Sequence, residues 1–342
     1  MRRDTASVTP RNEEQTQRSL AAFGLGLTTE LTPPGEWESQ SLVAPALRLY
    51  LATAHTVAES WSGFDEVGWG GVIDGAPFVV ERGRTGDHRF VHGADPSHAH
   101  QVRRSNQSNP TLAVHHLSAD ATLLQCAPYQ PESPSWWRLV LDSVLFTASL
   151  LHDYEALHAG AVATADGVIA ISAMSGGGKS TLVGELLCRG LTLMADDVLV
   201  LQPRVGEAPI AYPAPPLMTI PQASLPRLRA TFPQARAAAI CSIGQEDWIA
   251  VPVFPTPLPL TALVLLDRRP GVSTVLRRSS QPLAALIGAL LRFPRTRARE
   301  QVRFELAAAI AEHVAIWELE ADPSVDPGKL ADLLLRRPGD GA

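Results

Sequence analysis

Residues 166–202 read DGVIAISAMSGGGKSTLVGELLCRGLTLMADDVLVLQ, and LHAGAV stands just before them at 157–162. At the centre, Ala173 to Ser180 is AMSGGGKS. This is the phosphate-loop pattern G-x-x-x-x-G-K-[ST], with Ala173 in place of the first glycine. The flanks agree with it. Residues 167–172 (GVIAIS) are a short apolar, β-branched run and predict a buried strand. Residues 180–189 predict a helix with Val183, Leu186 and Leu187 on one face. A strand, a glycine loop and a helix in that order aim backbone N–H groups and a helix N-terminus at phosphate.

Each residue type in the loop has a reason. Gly176, Gly177 and Gly178 permit positive φ and leave no Cβ between backbone and ligand. Lys179 places an ammonium among β- and γ-phosphate oxygens, and Ser180 offers a hydroxyl to Mg²⁺. The expected nucleotide-binding set is therefore Ser175, Gly176, Gly177, Gly178, Lys179, Ser180 and Thr181. Beyond a turn at Gly190 and a strand over 191–195 stand Asp196 and Asp197. Adjacent carboxylates at a strand end beside a phosphate loop can hold Mg²⁺ or accept a substrate proton. The bland alternative, a solvated turn, fits poorly with the apolar runs LTLMA and VLVLQ on either side.

With these residues the stretch resembles the catalytic domain of HPr kinase/phosphorylase and related serine kinases, including the HPr-kinase-like enzymes that phosphorylate lasso peptides. That family carries a histidine before a β-hairpin, a glycine loop ending in Gly-Lys-Ser, and Ala-Asp-Asp after the next strand. Here His158 stands 21 residues before Lys179, and Asp196 stands 17 after it. The resemblance implies that His158 is an active-site histidine and that Asp197 takes the proton of the substrate hydroxyl. It implies that Asp196, with Ser180, helps hold the metal. ATP-dependent phosphoenolpyruvate carboxykinase is a more distant likeness, also pairing a glycine loop with a double Asp. The strong match covers about residues 157–202, and 203–335 match only loosely. The family's further metal-binding glutamate falls here on Gln222, and no carboxylate stands between Glu207 and Glu246. That departure predicts a one-way kinase with little reverse phosphorylase activity, unless Glu207, Asp247 or Asp267 folds into the gap.

The 342 residues allow two domains with ample core. A net charge of −6 speaks against a general nucleic-acid binder. Cys126, Cys188 and Cys241 are odd in number and widely spaced, which predicts neither a disulfide framework nor a zinc site, and a reducing cytoplasm. No uncharged apolar run is long enough to span a membrane. The start, MRRDTASVTPRNEEQTQRS, lacks the apolar core of a secretory signal; residues 1–19 are expected to be a disordered leader.

Residues 20–154 are expected to form a β-rich accessory domain. Pro45 argues against one continuous helix over 41–60. Residues 67–80 predict a hairpin around Asp74-Gly75, and 89–92, 111–117 and 121–126 predict strands. Six histidines (His88, His92, His98, His100, His115, His116) crowd this half. Without a completing cysteine or carboxylate set they read as solvated loop residues rather than metal ligands. Residues 135–154 (SWWRLVLDSVLFTASLLHDY) predict one helix, apolar nearly all round and so buried between the two halves.

After Gln202 prolines punctuate short extended pieces. Strands are expected over 247–254, 261–267, 272–276 and 315–319. Helices are expected from Ser280, with the stripe Leu283, Leu286, Ile287, Leu290, Leu291, then up to about His313, and over 328–337. Arg292, Arg295, Arg297, Arg299 and Arg303 read either as a solvated run or as a clamp for phosphate or an acidic substrate. The expected whole is α/β (α+β overall): a β-rich N-terminal part and, over 155–335, an HPr-kinase-like, carboxykinase-like phosphate-loop domain. The expected function is Mg²⁺- and ATP-dependent transfer of phosphate to a hydroxyl, a serine of a protein or ribosomal peptide. His158, Lys179 and Asp197 would be catalytic, and Ser180 and Asp196 would hold metal. Neither nucleic acid nor membrane is an expected partner, and self-association is left open. The alternatives are a small-molecule acceptor, as in carboxykinase-like chemistry, and a nucleotide-dependent sensor without turnover.

Overall fold

Phe23 and Gly24 both hold positive φ, 56° and 79°, as a two-residue type I′ turn requires. They join β1 (Arg18–Ala22) to β2 (Leu25–Thr29) in a hairpin. In this computed structural model the described residues are 17–35, 37, 45–73, 76–93, 111–131, 133, 135–231, 239–286, 288–291 and 297–336. Arg18 and Ser19 therefore belong to a strand, not to a leader; residues 1–16 lie outside the described set. The chain continues through β3 (Ala46–Leu51), α1 (Ala54–Ser60), β4 (Phe64–Ile73), β5 (Ala76–Gly83), β6 (His88–Gly93), β7 (Thr111–Leu117) and β8 (Leu123–Pro128). Pro45 precedes β3, so 41–60 does not run as one helix. These strands form an eight-stranded sheet in the order β1-β2-β3-β8-β7-β6-β5-β4. The hairpin expected at 67–80 is β4–β5, its turn residues 74 and 75 outside the described set.

The histidines here differ from expectation. His88, His92, His115 and His116 are not solvated loop residues but sit buried on β6 and β7. His116 bonds Asp87 at 2.9 Å and Gln125 at 3.1 Å, whereas both ring nitrogens of His88 and of His115 lack a hydrogen-bond partner. The strands accept His88 and His115 because burial lowers both imidazoles, and a neutral ring packs flat and mostly apolar. His98 and His100 lie outside the described residues.

The long helix also departs from a single α-helix. It comprises α2 (Ser135–Leu139), a π-turn (Val140–Val144) and α3 (Leu145–Leu150). Leu145 N–H reaches the Val140 carbonyl, five residues back, which is the π bond. Leu141, Leu145 and Leu150 are at most 1% exposed; each contributes about 1.5–3 kcal/mol by burial.

The second part contains β9 (Glu155–His158), β10 (Gly160–Thr164), β11 (Gly167–Ala173), α4 (Lys179–Leu187), β12 (Thr192–Ala195), β13 (Val198–Gln202), β14 (Ile210–Ala211), β15 (Leu217–Pro221), α5 (Leu225–Thr231), β16 (Cys241–Ile243), β17 (Glu246–Ala250), β18 (Leu258–Arg268), β19 (Val275–Arg278), α6 (Pro282–Leu286), α7 (Arg297–His313), β20 (Ala315–Ala321) and α8 (Pro327–Leu335). β11, β18 and β20 run parallel at its centre. β11 and β18 lie on the path β12-β10-β11-β18-β14-β13-β9 of one sheet, which β20 joins beside β18 and β19 beside β20, and β15-β17-β16 form a small sheet of their own. With 24% helix and 42% strand in several sheets, the chain is α+β.

Two further expectations are corrected. The helix after Ser280 stops at Leu286 instead of following its stripe to Leu291. The chain beyond it is drawn to β9: His158 N–H donates to the Ala289 carbonyl at 2.7 Å, and Leu291 N–H to Ala156 O at 3.1 Å. Arg299 and Arg303 are neither solvated nor a clamp. They turn inward to Glu155, Arg299 Nη2 in close contact and Arg303 Nε at 3.3 Å. Burial pushes the Glu155 carboxyl up, and the two guanidiniums oppose it. Arg292 and Arg295 lie outside the described residues, as does the side chain of Arg297. One apolar cluster runs from Leu25 and Phe90 through Leu145 to Leu157, Val200 and Ile316, so the first sheet, the helix and the second sheet share a core.

Candidate functional site

β11 is buried along its whole length and ends at Ala173. The loop beyond it is held by its glycines. Gly177 N–H donates to Met174 O at 2.8 Å, and a Cβ on Gly177 would stand 2.8 Å from that same oxygen. Gly178 takes φ 89° as the N-cap of α4 and offers no side chain to cap it. The first amides of α4 thus face the loop without side-chain partners, the arrangement that favours an anion.

Lys179 opens α4, and its side chain is 8% exposed. Nζ donates to the Asp196 carbonyl at 3.0 Å and makes a short ion pair with Asp197 Oδ1. The same Oδ1 lies 3.2 Å from His158 Nε2. Backbone pairing sets this meeting. His158 ends β9 opposite Val198 of β13, Ala159 N–H donates to Asp197 O at 3.0 Å, and Ser172 Oγ donates to His158 O at 2.9 Å. Gly160 makes the closeness possible: a Cβ there would stand 2.6 Å from Asp196 O.

The two aspartates differ. The protein packed around its carboxyl would raise Asp197, although half of the side chain still meets solvent, but the His158 bond and the Lys179 ammonium outweigh it and hold the carboxyl well below the usual range. Asp196 is pushed up to about 6, by burial first and then by Asp197, against the pull of Lys179. Its Oδ2 accepts from Thr219 N–H at 2.7 Å, while Oδ1 is buried without a hydrogen-bond partner. A buried carboxylate oxygen with the Ser180 hydroxyl beside the carboxyl is a hard-oxygen donor set that fits Mg²⁺. No group of three or more His, Cys, Asp or Glu among the described residues makes a metal site alone.

These groups line a cavity of about 390 Å³. All the expected site residues meet there: His158, Ser175 to Thr181, Asp196 and Asp197. Sequence reasoning missed the opposite walls. Arg138, Leu139, Asp142 and Ser143 come from the π-turn region, Ile73 from the end of β4, and Thr219, Pro221 and Glu246 from the small sheet. The three carboxylates weighed for the gap at Gln222 do not line the cavity. Glu207 pairs with Arg204, Asp267 with Arg269, and Asp247 accepts from Ser242 and Gln222. Glu246 does line it, lying opposite Pro221 in the β15–β17 pairing, one step from Gln222. No linear spacing could have marked it, since only the sheet brings it there.

No protein-family model and no curated protein matches the chain. Among solved structures it is weakly similar to the HPr(Ser) kinase/phosphatase from Coxiella burnetii. The identity is 15%, the match covers 53% of this chain and 94% of that one, and the TM-score is 0.29.

Proposed function

We propose that the protein is an ATP-dependent kinase that phosphorylates a hydroxyl, a serine on a protein or peptide. The observation that carries this reading is the convergence of Lys179 and His158 on one oxygen of Asp197 at the mouth of a glycine loop. The motif resemblance supports it, and the oxygen-rich walls suit Mg²⁺ and a triphosphate. In this reading Lys179 exchanges Asp197 for phosphate oxygens when nucleotide enters. That exchange leaves Asp197 ionised, held by His158 and free to act as base. The serine Oγ attacks the γ-phosphorus, its proton passes to Asp197, the bond from the γ-phosphorus to the β–γ bridging oxygen breaks, and ADP leaves. Mg²⁺ held by Ser180 and Asp196 would neutralise charge on the phosphate oxygens. The loop amides and Lys179 bind where charge spreads in the transition state.

The test uses γ-labelled ATP, Mg²⁺, a serine-peptide library and a panel of small hydroxyl compounds. Label is expected on peptide serine. Lys179→Ala should lower transfer by roughly 10²-fold or more while the fold persists. Equal turnover by Lys179→Ala, or label found only on a small molecule, would overturn the reading.

A further inference from the structure

β4 is the outermost strand of the first sheet, and its end meets the cavity, because Ile73 is one of the lining residues. Edge strands present unpaired N–H and C=O groups, and proteins blunt them with charges, prolines or bulges. Here the protection is uneven. The register shifts of a bulged strand fall at the outer end, between Phe64 and Glu66 and between Val67 and Trp69. Asp65 and Glu66 stand there too. From Trp69 to Ile73 the pairing with β5 is unbroken, and the sequence WGGVI carries no charge and no proline. Val72 is 69% exposed and Trp69 39%. A Cβ on Gly70 would meet nothing within 4 Å. Among the described residues, the unguarded segment is therefore the one leading to the reacting groups.

Resting on the kinase reading, we propose that β4 is the docking edge for the acceptor: an extended segment of the acceptor polypeptide adds to β4 as a further strand. Backbone pairing supplies affinity without sequence demands, and alternate side chains supply specificity. A segment paired along Trp69–Ile73 runs into the cavity at Ile73 and presents its next residues to Asp197. The outer end adds a charge preference. Among the described residues, Asp65 and Glu66 both pair with Arg82, at 3.8 and 3.3 Å, and both carboxylates are half-exposed. The surplus negative charge selects a lysine or arginine roughly seven or eight residues from the acceptor serine, because six paired steps of β5 already separate Glu66 from Ile73 and the serine lies beyond Ile73, at about 3.4 Å per residue. A second copy of the chain is a poorer occupant. Antiparallel pairing of two β4 strands would lay the acidic end of each against the apolar end of the other.

The experiment measures phosphate transfer by the full chain to 13-residue serine peptides (about 44 Å when extended) in which one lysine is walked through every position. Asp65→Lys/Glu66→Lys reverses the charge at the outer end, and Gly70→Pro blocks the edge. Wild type should prefer lysine roughly seven or eight positions from the serine by up to about fivefold, the scale of one half-exposed charge pair. The double variant should lose that preference, or favour glutamate. Gly70→Pro should slow transfer to every peptide about tenfold, with ATP affinity unchanged in both variants. Peptides phosphorylated without positional preference, and equally by all three proteins, overturn the docking edge and leave the kinase reading standing. Transfer to small hydroxyl compounds alone overturns both. If Gly70→Pro converts a dimer into a monomer with transfer unchanged, the edge belongs to a second copy and the proposal fails. The surface double variant decides the matter should Gly70→Pro not fold.

Discussion

Asp197→Asn keeps the shape of the side chain and removes its charge, so it separates the two jobs the site gives this residue. As base, Asp197 acts only in the transition state; removing a positioned base costs roughly 10²–10⁴-fold in rate, or about 3–5 kcal/mol of barrier. As partner of Lys179, it competes with phosphate for the ammonium before nucleotide binds. Asp197 is 53% exposed, so solvent screens that pair to about 0.2–1 kcal/mol. Releasing Lys179 should therefore tighten ATP by up to about fivefold. Lys179 keeps a partner in the Asp196 carbonyl at 3.0 Å, so the fold should survive. The expected signature is opposed: kcat collapses while the dissociation constant for ATP falls. Single-turnover transfer from labelled ATP gives the first quantity, and titration with a fluorescent nucleotide gives the second. An Asp197→Asn protein within threefold of wild-type kcat, or one binding ATP ten times more weakly, would refute the reasoning. If Asp196→Asn were dead while Asp197→Asn worked, the roles of the two carboxylates would be exchanged.

Glu246→Gln should raise the Mg²⁺ concentration for half-maximal transfer by roughly tenfold, the scale for losing a group near a bound metal; an unchanged Mg²⁺ profile would remove Glu246 from the metal's surroundings. With Glu246 in the wall, reverse phosphorolysis is also open to test: pyrophosphate formed from phosphorylated peptide and inorganic phosphate at a rate near forward transfer would end the one-way expectation. His88 gives a pH prediction. Burial, then Arg82, lowers it to about 4, so between pH 6.5 and 4 the unfolded chain binds a proton that the folded chain refuses. Stability must fall as pH drops through that window, by up to about 3 kcal/mol from this one group. His88→Leu should flatten that slope in urea titrations at pH 7 and pH 4.5; an unchanged slope would exclude His88 as its source.

The glycine loop, its flanking strand and helix, and the two aspartates were legible because their signals are local. Glycines that permit positive φ, a β-branched run and an apolar helical stripe report themselves within ten or so residues. What failed was decided by distant partners. The stripe Leu283 to Leu291 has the right period, but Ala289 and Leu291 are taken by the backbone of β9, and that pairing places His158. Arg299 and Arg303 look like surface charge until Glu155, on the far side of the sequence, is folded against them. The histidines of β6 and β7 lie in segments whose alternation predicted strands, yet their polarity argued for loops; packing decided. Glu246 and the π-turn wall belong to the same class, since neither has a sequence spacing to announce it.

The shared core has a consequence for inheritance. A catalytic unit that lifts out whole can be passed between proteins and fused to new targeting parts. Here Leu157 of β9 packs in one cluster with Leu145 of the helix and Phe90 of the first sheet. A cut near residue 155 would strip an apolar face and a cavity wall together. The protein is expected to melt in a single calorimetric transition, and its acceptor specificity and its chemistry to change only in concert. Variation in the first sheet is then felt in the active site as repacking, so selection on the acceptor edge and selection on turnover act on one object.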